Sequence, residues 1–449
     1  MFDYSAKKIT VDQALGMVKD YDNVTVGMAG AEPLLFLGKL HTIADRVKDV
    51  TITSCLNTAP GEYLSEKYLE KAFKLDSWFY SPTLRKLQKT GRVSYISNHL
   101  HYAGSKRNAY KKTNVFIGSA SMPDENGRIH FSLGNVYEEE IAKAADVVIL
   151  EISPNIPLCH GQNYLEWDEV DHVIEADYFL PTIPDVPPNE KDLVIGRIIA
   201  DHINDGDCIQ VGIGGIPNAV CESLTGKRDL GVHTEMMTTG IMRLMKMGVV
   251  TGKKKQRDVG KVVCAFALGS QEMYEFMDDN PDIITGRGSE VNDPYIIAGN
   301  DNQVSINTSV EIDFTGQCCS ESIGTMQISG TGGQSDTAVG AQMSKNGRSF
   351  IALYSTASVK DKATGEVTEV SKIVPTLNVG AAVSLSRNDV DWVVTEYGAV
   401  HLKGTSVHDR TLMLISVAHP KFRKGLLEEA VKLGYLAAHD PEIAKVVGE

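Results

Sequence analysis

No stretch of the 449-residue chain approaches the ~18 uninterrupted apolar residues that a membrane-spanning helix requires. The opening Met1 to Lys8 carries no apolar run behind its charges, so no export signal is read there and a cytoplasmic location is expected. Cysteine is sparse. There are seven, an odd number with no C-x-x-C pair, which excludes a disulfide framework and a zinc ribbon and leaves no metal site to expect. Cys318 and Cys319 are adjacent, but neighbours in a strand face opposite ways, so they read as two ordinary buried thiols. A surplus of positive charge is also missing. With 44 basic against 58 acidic residues the net charge is -14, which argues against non-specific binding to nucleic acid or to an anionic membrane. Net charge describes the far field, so a local basic pocket for a phosphate stays open. What the chain does have is 42% hydrophobic and 23% charged residues and length enough for two or three α/β domains. It also has 40 glycines, about 9% against an average of about 7%.

Some of those glycines repeat in context. Thr10 to Val18 has a helical pattern, followed by Val24-Thr25-Val26, Gly27 and a loop through Gly30 to Pro33. Leu193 to Ile203 is again helical in pattern, followed by Cys208-Ile209-Gln210-Val211, Gly212 and a loop through Gly215 to Pro217. The two glycine pairs match at one offset of 185 positions. A second echo pairs Asp146 to Glu151 with Asp391 to Glu396, at an offset of 245, both being continuous apolar runs of the kind expected in buried parallel strands. On that pairing the second copy carries about 60 more residues between its glycine and its glutamate. Pro181, Pro184, Pro187 and Pro188 forbid a helix between the halves and favour an extended linker. The boundary is therefore set near 188, giving lobes 1–188 and 189–449. Alternating strands and helices predict two similar open-sheet α/β lobes, with ligands bound beyond the strand C-termini in the cleft between them. Leu426, Leu427, Ala430, Val431, Leu433 and Leu436 have the spacing of a packing helix near the C-terminus.

Gly212-Ile213-Gly214-Gly215-Ile216-Pro217 follows a β-branched strand and precedes a helix expected over 219–224. Glycine lets backbone N–H groups approach a ligand closely, and the helix N-terminus adds partial positive charge, so an anion fits there. A purely structural turn is the alternative. The dinucleotide fingerprint would place its third glycine where this chain has Pro217, which weakens a nicotinamide-dependent oxidoreductase. The next strand, Leu230 to Thr234, delivers Glu235 to its C-terminal tip. Three readings of that glutamate stand. It binds ribose hydroxyls, it caps the following helix, or it attacks an acyl group to form a mixed anhydride, helped by the poor solvation beside Met236 and Met237.

Six segments, taken in order, carry a family resemblance: Gly212 to Ala219; His233-Thr234-Glu235-Met236; Ser305-Ile306-Asn307 through Glu311 to Gln317; Ser329 to Asp336; Ile373-Val374-Pro375; and Thr395-Glu396-Tyr397-Gly398. With these the chain resembles the class I CoA-transferases of the acetyl-CoA hydrolase/transferase family, in the branch that transfers CoA between butyryl-CoA and acetate or to 4-hydroxybutyrate. The resemblance covers nearly the whole chain. It implies tandem CoA-transferase lobes and makes Glu235 the nucleophile, passing through an acyl-glutamyl anhydride and a glutamyl-CoA thioester. It places CoA against Gly212, Ile213, Gly214, Gly215, Ile216 and Gly333, with Val310 lining the pantetheine channel and Lys360 contacting CoA; Lys362 and Lys372 lie nearby in sequence.

No cofactor is implied beyond CoA as co-substrate, and no metal. The implied partners are an acyl-CoA and a short-chain carboxylate, with the chain assembled as a homodimer or higher homo-oligomer. Val310 also reads as an ordinary strand residue, and Lys253 to Arg257, the densest basic run, as either a nucleotide contact or a solvated loop. The loop Gly27 to Pro33 resembles the family's acid-facing wall, where Met28 and Ala29 suit an unsubstituted acid such as acetate or butyrate better than a hydroxy acid. A 4-hydroxybutyrate CoA-transferase, an acetyl-CoA hydrolase and a non-catalytic CoA sensor are the competing functions.

Overall fold

The computed structural model describes residues 2–59, 61–360 and 364–447. Its first sheet holds seven parallel strands: β1 (Asn23–Val26), β2 (Val50–Ser54), β3 (Phe73–Ser77), β4 (Val93–Tyr95), β5 (Val115–Ala120), β6 (Val147–Ile152) and β7 (His172–Glu175). They lie side by side in the order β4-β3-β2-β1-β5-β6-β7. β1, β2 and β5 are buried along their whole length, as Val- and Ile-rich strands covered on both faces must be. The second sheet comprises β8 (Cys208–Val211), β9 (Gly231–His233), β10 (Val262–Cys264), β11 (Ile283–Thr285), β12 (Gln303–Thr308), β13 (Arg348–Ala352), β14 (Trp392–Thr395) and β15 (Gly398–His401). Its order is β11-β10-β9-β8-β12-β13-β14-β15, and only β15 runs antiparallel to its neighbour.

Strand for strand, the second sheet repeats the first and adds β15. β1 lies between β2 and β5, and β8 lies between β9 and β12. The offset of 185 therefore joins strands in the same place. The offset of 245 does not. It pairs β6, sixth in its sheet, with β14, seventh in the other. The true counterpart of Asp391 is Asp171. Asp171 Oδ2 accepts from Val148 N at 2.8 Å, and Asp391 Oδ2 accepts from Ser349 N at 3.0 Å, each joining the start of the seventh strand to the sixth. Any buried parallel strand can read as a run of Val, Ile and Leu between acidic ends, so similarity of pattern alone misplaced the echo.

Helices on both faces begin where local chemistry allows. α1 (Val11–Met17) opens on Thr10, whose Oγ1 accepts from Gln13 N while the Gln13 side chain accepts from Thr10 N. α2 (Glu138–Ala142) crosses to β6, and α3 (Glu190–Asp201) is capped by Asn189 directly after the prolines. α4 (Gly215–Ser223) starts four residues before the expected helix, because Pro217 sits in its first turn, where no backbone donor is required. α5 (Gln334–Met343) crosses to β13, the place α2 holds in the first sheet, and α6 (Pro420–Lys432) is the expected C-terminal packing helix, stopped at Gly434 with φ 72°.

Residues 176–189 form neither helix nor strand, but they are not a free tether. Ile183 N donates to Gly269 O, and the Tyr274 hydroxyl donates to Pro181 O. The two sheets also share apolar cores. Met236, Val263, Phe266 and Leu268 pack in one cluster with Met28, Trp78, Phe116 and Leu150. All seven cysteines are buried and free. Among the described residues no helix is long and apolar enough to cross a membrane.

Candidate active site

Glu235 stands at a break in the second sheet. β9 ends at His233, and Met236–Met237 then pairs in parallel with Phe266–Ala267. Between them the Glu235 carbonyl accepts from Ala265 N (2.9 Å) and Phe266 N (3.1 Å), which fixes its backbone and turns its side chain into a cavity of about 240 Å³. Asn292 Nδ2 donates to Glu235 Oε2 at 3.1 Å, and the Gly333 N–H also faces this carboxylate. A Cβ on Gly333 would overlap both Glu235 Oε2 and Asn292 Nδ2, so glycine is required there. Gly330, three residues earlier, has no room either, since a Cβ would strike the Trp78 carbonyl oxygen. The glycine cluster is thus built for close approach and not merely for turning.

The electrostatics follow from this enclosure. Burial pushes the Glu235 carboxyl up to about 7, assisted by the negative charge of Asp336 and opposed by the hydrogen bonds from Asn292 and Gly333. Near neutral pH the group is therefore divided between its acid and carboxylate forms, and its ionised form is poorly solvated. His233 supports the arrangement from beneath. Its Nε2 donates to Val291 O at 2.8 Å, fixing the residue next to Asn292, and burial lowers its imidazole to about 4, which keeps it neutral. Gln303 Nε2 in turn donates to His233 O at 3.1 Å.

The cavity walls differ in character. Met28, Cys55, Leu56, Trp78, Phe79 and Leu100 from the first lobe, with Met236 and Phe266, make an apolar side. Burial raises the Cys55 thiol well above its usual range, so this wall carries no charge there. Gln210, Asn307, Thr308, Ser320 and Thr331 of the second lobe, interspersed with Val211, Ile213, Pro217 and Ile306, make a mixed side that carries the polar groups. Gln210 Oε1 accepts from Ser305 Oγ (3.0 Å) and Ile306 N (3.1 Å), which sets the orientation of its amide. On the apolar side the backbone is held in unusual states. Ala29 and Leu56 have φ of 45° and 49°, and Leu56 N donates to Phe79 O. Behind the wall Glu138 accepts from Met28 N and Tyr137 N, and Glu32 accepts from Thr58 N, Ala59 N and Asn57 Nδ2. Their oxygens are occupied by donors, so these carboxylates brace the wall.

Of the residues singled out from sequence, Glu235, Gly212, Ile213 and Gly333 meet at the cavity. Gly214 and Gly215 open α4 just beside it, Gly214 exposed with φ 116°. Ile216 instead turns into the apolar core. Val310 is not on a continuous strand. It occupies a bend between β12 and Glu311–Asp313, donates its N–H to Cys319 O, and does not line the cavity. Lys360 is exposed at the end of strand Thr356–Lys360, also away from the lining. Lys362 lies outside the described residues, and the Lys372 amine is 3.9 Å from Glu311. Of the basic run, Lys253, Lys254, Gln256 and Arg257 are exposed in a loop, as a solvated loop would be, and only Lys255 departs from that reading. Lys255 is 5% exposed, and its Nζ donates to Val232 O and Lys261 O beneath β9. Asn292 was not anticipated. It lies 57 residues from Glu235 in a segment with no motif, and only the fold brings it near.

Comparison with known proteins covers nearly the whole chain. Residues 2–184 match the family model of the acetyl-CoA hydrolase/transferase N-terminal domain, and residues 269–430 match that of the C-terminal domain. A succinyl-CoA:cyclohexane-1-carboxylate CoA transferase of Geobacter metallireducens is 39% identical over 96% of each chain. A 4-hydroxybutyrate coenzyme A transferase of Clostridium kluyveri is 38% identical, covering 96% of this chain and 98% of that one. A probable butyrate:acetyl-CoA coenzyme A-transferase of Syntrophomonas wolfei is 37% identical over 96% of each. The crystal structure of RipA from Yersinia pestis superposes with a TM-score of 0.88 at 35% identity, over 96% of this chain and 99% of that one. With both family domains matched in order and relatives this similar over nearly its full length, the chain belongs to the acetyl-CoA hydrolase/transferase family.

Proposed function

We propose that the protein is a CoA-transferase that moves CoA from a short-chain acyl-CoA, butyryl-CoA foremost, to acetate. The reading is carried by one observation. Glu235 is held between Asn292 and Gly333 in a cavity lined by apolar side chains of the first lobe and mixed polar and apolar side chains of the second. A carboxylate so placed attacks the thioester carbonyl, the C–S bond breaks, and CoA leaves as thiolate while the acyl group remains on Glu235 as an anhydride. The thiolate then attacks the glutamyl carbonyl carbon. This releases the first acid as carboxylate and leaves a glutamyl-CoA thioester, which the second acid discharges by the same steps in reverse. Each addition makes a tetrahedral oxyanion, and the N–H groups of the glycine loops are donors suited to it. Thioester energy is conserved throughout, so the scheme calls on no cofactor beyond CoA.

The apolar wall supports an unsubstituted acyl chain. Met28, Leu56 and Leu100 offer no side-chain partner, and the single indole N–H of Trp78 is too little to satisfy a second carboxylate, whose unpaired burial would cost about 1–3 kcal/mol or more. The polar groups of the second-lobe side suit the amides of the pantetheine arm. The experiment is mass spectrometry of the protein after exposure to butyryl-CoA, with CoA release followed with and without acetate. A CoA adduct on Glu235 is expected, with acetyl-CoA formed when acetate is present and little free CoA released in either case. An equal adduct on Glu235→Ala would overturn the mechanism, and fast release without any acid would make the protein a hydrolase. A marked preference for 4-hydroxybutyrate over acetate and butyrate as acceptor would overturn the acid assignment.

A further inference from the structure

Helix α5 begins immediately after Gly333, and its first turn carries a carboxylate turned away from solvent. Asp336 is 1% exposed at its side chain. Its partners come from the other lobe. His101 N donates to Oδ2 at 3.1 Å, His101 Nδ1 lies 2.9 Å from Oδ1, and His99 Nδ1 lies 3.4 Å from the same oxygen. An ionised carboxylate only accepts, so His101 Nδ1 carries the proton in this contact. Leu100, between the two histidines, lines the cavity. One short segment of the first lobe thus closes the cavity with Leu100 and grips, with His101, the helix that follows directly on Gly333, whose N–H faces Glu235.

We propose that Asp336 is a positioning residue for Glu235, fixed by His101 across the lobe interface, so that contact between the lobes sets both the placement and the charge surroundings of the nucleophile. This rests on the reading of Glu235 as nucleophile. Two independent effects of Asp336 meet at that residue. Mechanically, it ties the start of α5, and with it Gly333, to the first lobe. Electrically, its negative charge acts on Glu235 and disfavours the ionised form, while the histidines partly compensate that charge. Burial alone would raise the Asp336 carboxyl, but the hydrogen bonds from His101 and His99 hold it below the usual carboxylate range, so it stays charged. The other ionisable groups that bear on this assembly are Asp389, whose charge acts on His99, and Cys55, Glu138 and Glu32 toward the opposite wall.

The test reads the acid limb of kcat/KM for butyryl-CoA with acetate, which reports ionisation of the free enzyme. Asp336→Asn removes the neighbouring negative charge at constant shape and is expected to move the limb to lower pH by about one unit. His101→Ala uncovers that charge and is expected to move the limb to higher pH. If His101→Ala does not fold, His101→Gln, which retains a side-chain donor, is read in its place with the same sign and a smaller shift. Loss of activity in both variants with unmoved limbs, or limbs displaced in one direction, would overturn the inference. The Glu235 adduct is scored by mass spectrometry in the unaltered protein in parallel. Its absence sinks the nucleophile reading, whereas its presence with unmoved limbs sinks only the role of Asp336.

Discussion

A carboxylate enclosed by Asn292, Gly333 and apolar side chains is costly to ionise, and that cost is measurable as stability. Burial lifts the folded-state value of Glu235 from the ordinary 4.5 to about 7, so the folded protein holds this proton more tightly than the unfolded chain does. The contribution of Glu235 to stability is therefore most favourable below about pH 4.5, declines as pH rises, and is fully lost above about 7. Glu235→Gln keeps the shape and the contact with Asn292 but cannot ionise. At pH 8 this variant is expected to be more stable than the unaltered protein by about 1–3 kcal/mol, with the difference shrinking toward zero at pH 5, while transferase activity is lost. Urea denaturation at the two pH values checks this, and a variant less stable than the parent at pH 8 would contradict it. Glu235 could be picked out in the sequence because its signal is local, a strand-tip glutamate shortly after a strand-glycine-helix unit. Asn292 could not, since a lone asparagine 57 residues away gains meaning only when β9 and the segment after β11 converge. His233 falls between these cases, visible within a motif but with its role as a neutral donor to Val291 set by burial.

At the scale of elements, the loop 328–333 behaves as a wedge between the lobes. The Arg85 side chain donates to Ile328 O, Tyr80 N donates to Ser329 O at 3.2 Å, and Thr331 N donates to the Tyr95 hydroxyl at 3.1 Å. Gly330 lies against the Trp78 carbonyl without room for a methyl group. Gly330→Ala must therefore push the loop off the first lobe and carry Gly333 from Glu235, although residue 330 makes no bond to the nucleophile. A displacement of about 1 Å at a positioned group costs on the order of 100-fold in rate, so kcat is expected to fall by roughly that factor. Gly425 on α6 is the matched control. A Cβ there meets nothing, and Gly425→Ala is expected to leave kcat unchanged and to stabilise by about 0.4–1 kcal/mol. Equal rates for Gly330→Ala and the parent would show that the wedge is not needed. The strand-glycine loops after β1 and β8 were legible as a repeat because the same glycine spacing follows both strands. Only Gly27, where a Cβ would strike the Ala31 carbonyl oxygen, is sterically required, since Gly212 has room for one. The apolar strands were not individually assignable, because β6 and β14 satisfy the same pattern while occupying different places in their sheets.

For the molecule as a whole, duplication did not produce two independent bodies. Leu133, Ile156, Cys159 and Leu180 of the first half belong to the core that surrounds β8, β9 and β12, and Met236, Val263, Phe266, Leu268 and Val291 of the second half pack into the core around Phe116 and Leu150. Each such side chain contributes about 1.5–3 kcal/mol when withdrawn from water, so nine of them crossing between halves represent a sum at or above the upper end of the roughly 5–15 kcal/mol that typically separates folded from unfolded protein. Neither half can lose its structure while the other retains its own core. A single cooperative unfolding transition is therefore expected in differential scanning calorimetry, with calorimetric and van't Hoff enthalpies in agreement, rather than the two transitions that a sequence of two similar halves suggests. Two resolved transitions would show that the shared clusters are too weak to couple the lobes. The same coupling explains why Glu235 can depend on both halves. Its support from Asn292 and Gly333 lies in the second, and the wall and clamp formed by Trp78, Leu100 and His101 lie in the first. A rigid apolar seam between them keeps these groups in register from one catalytic cycle to the next.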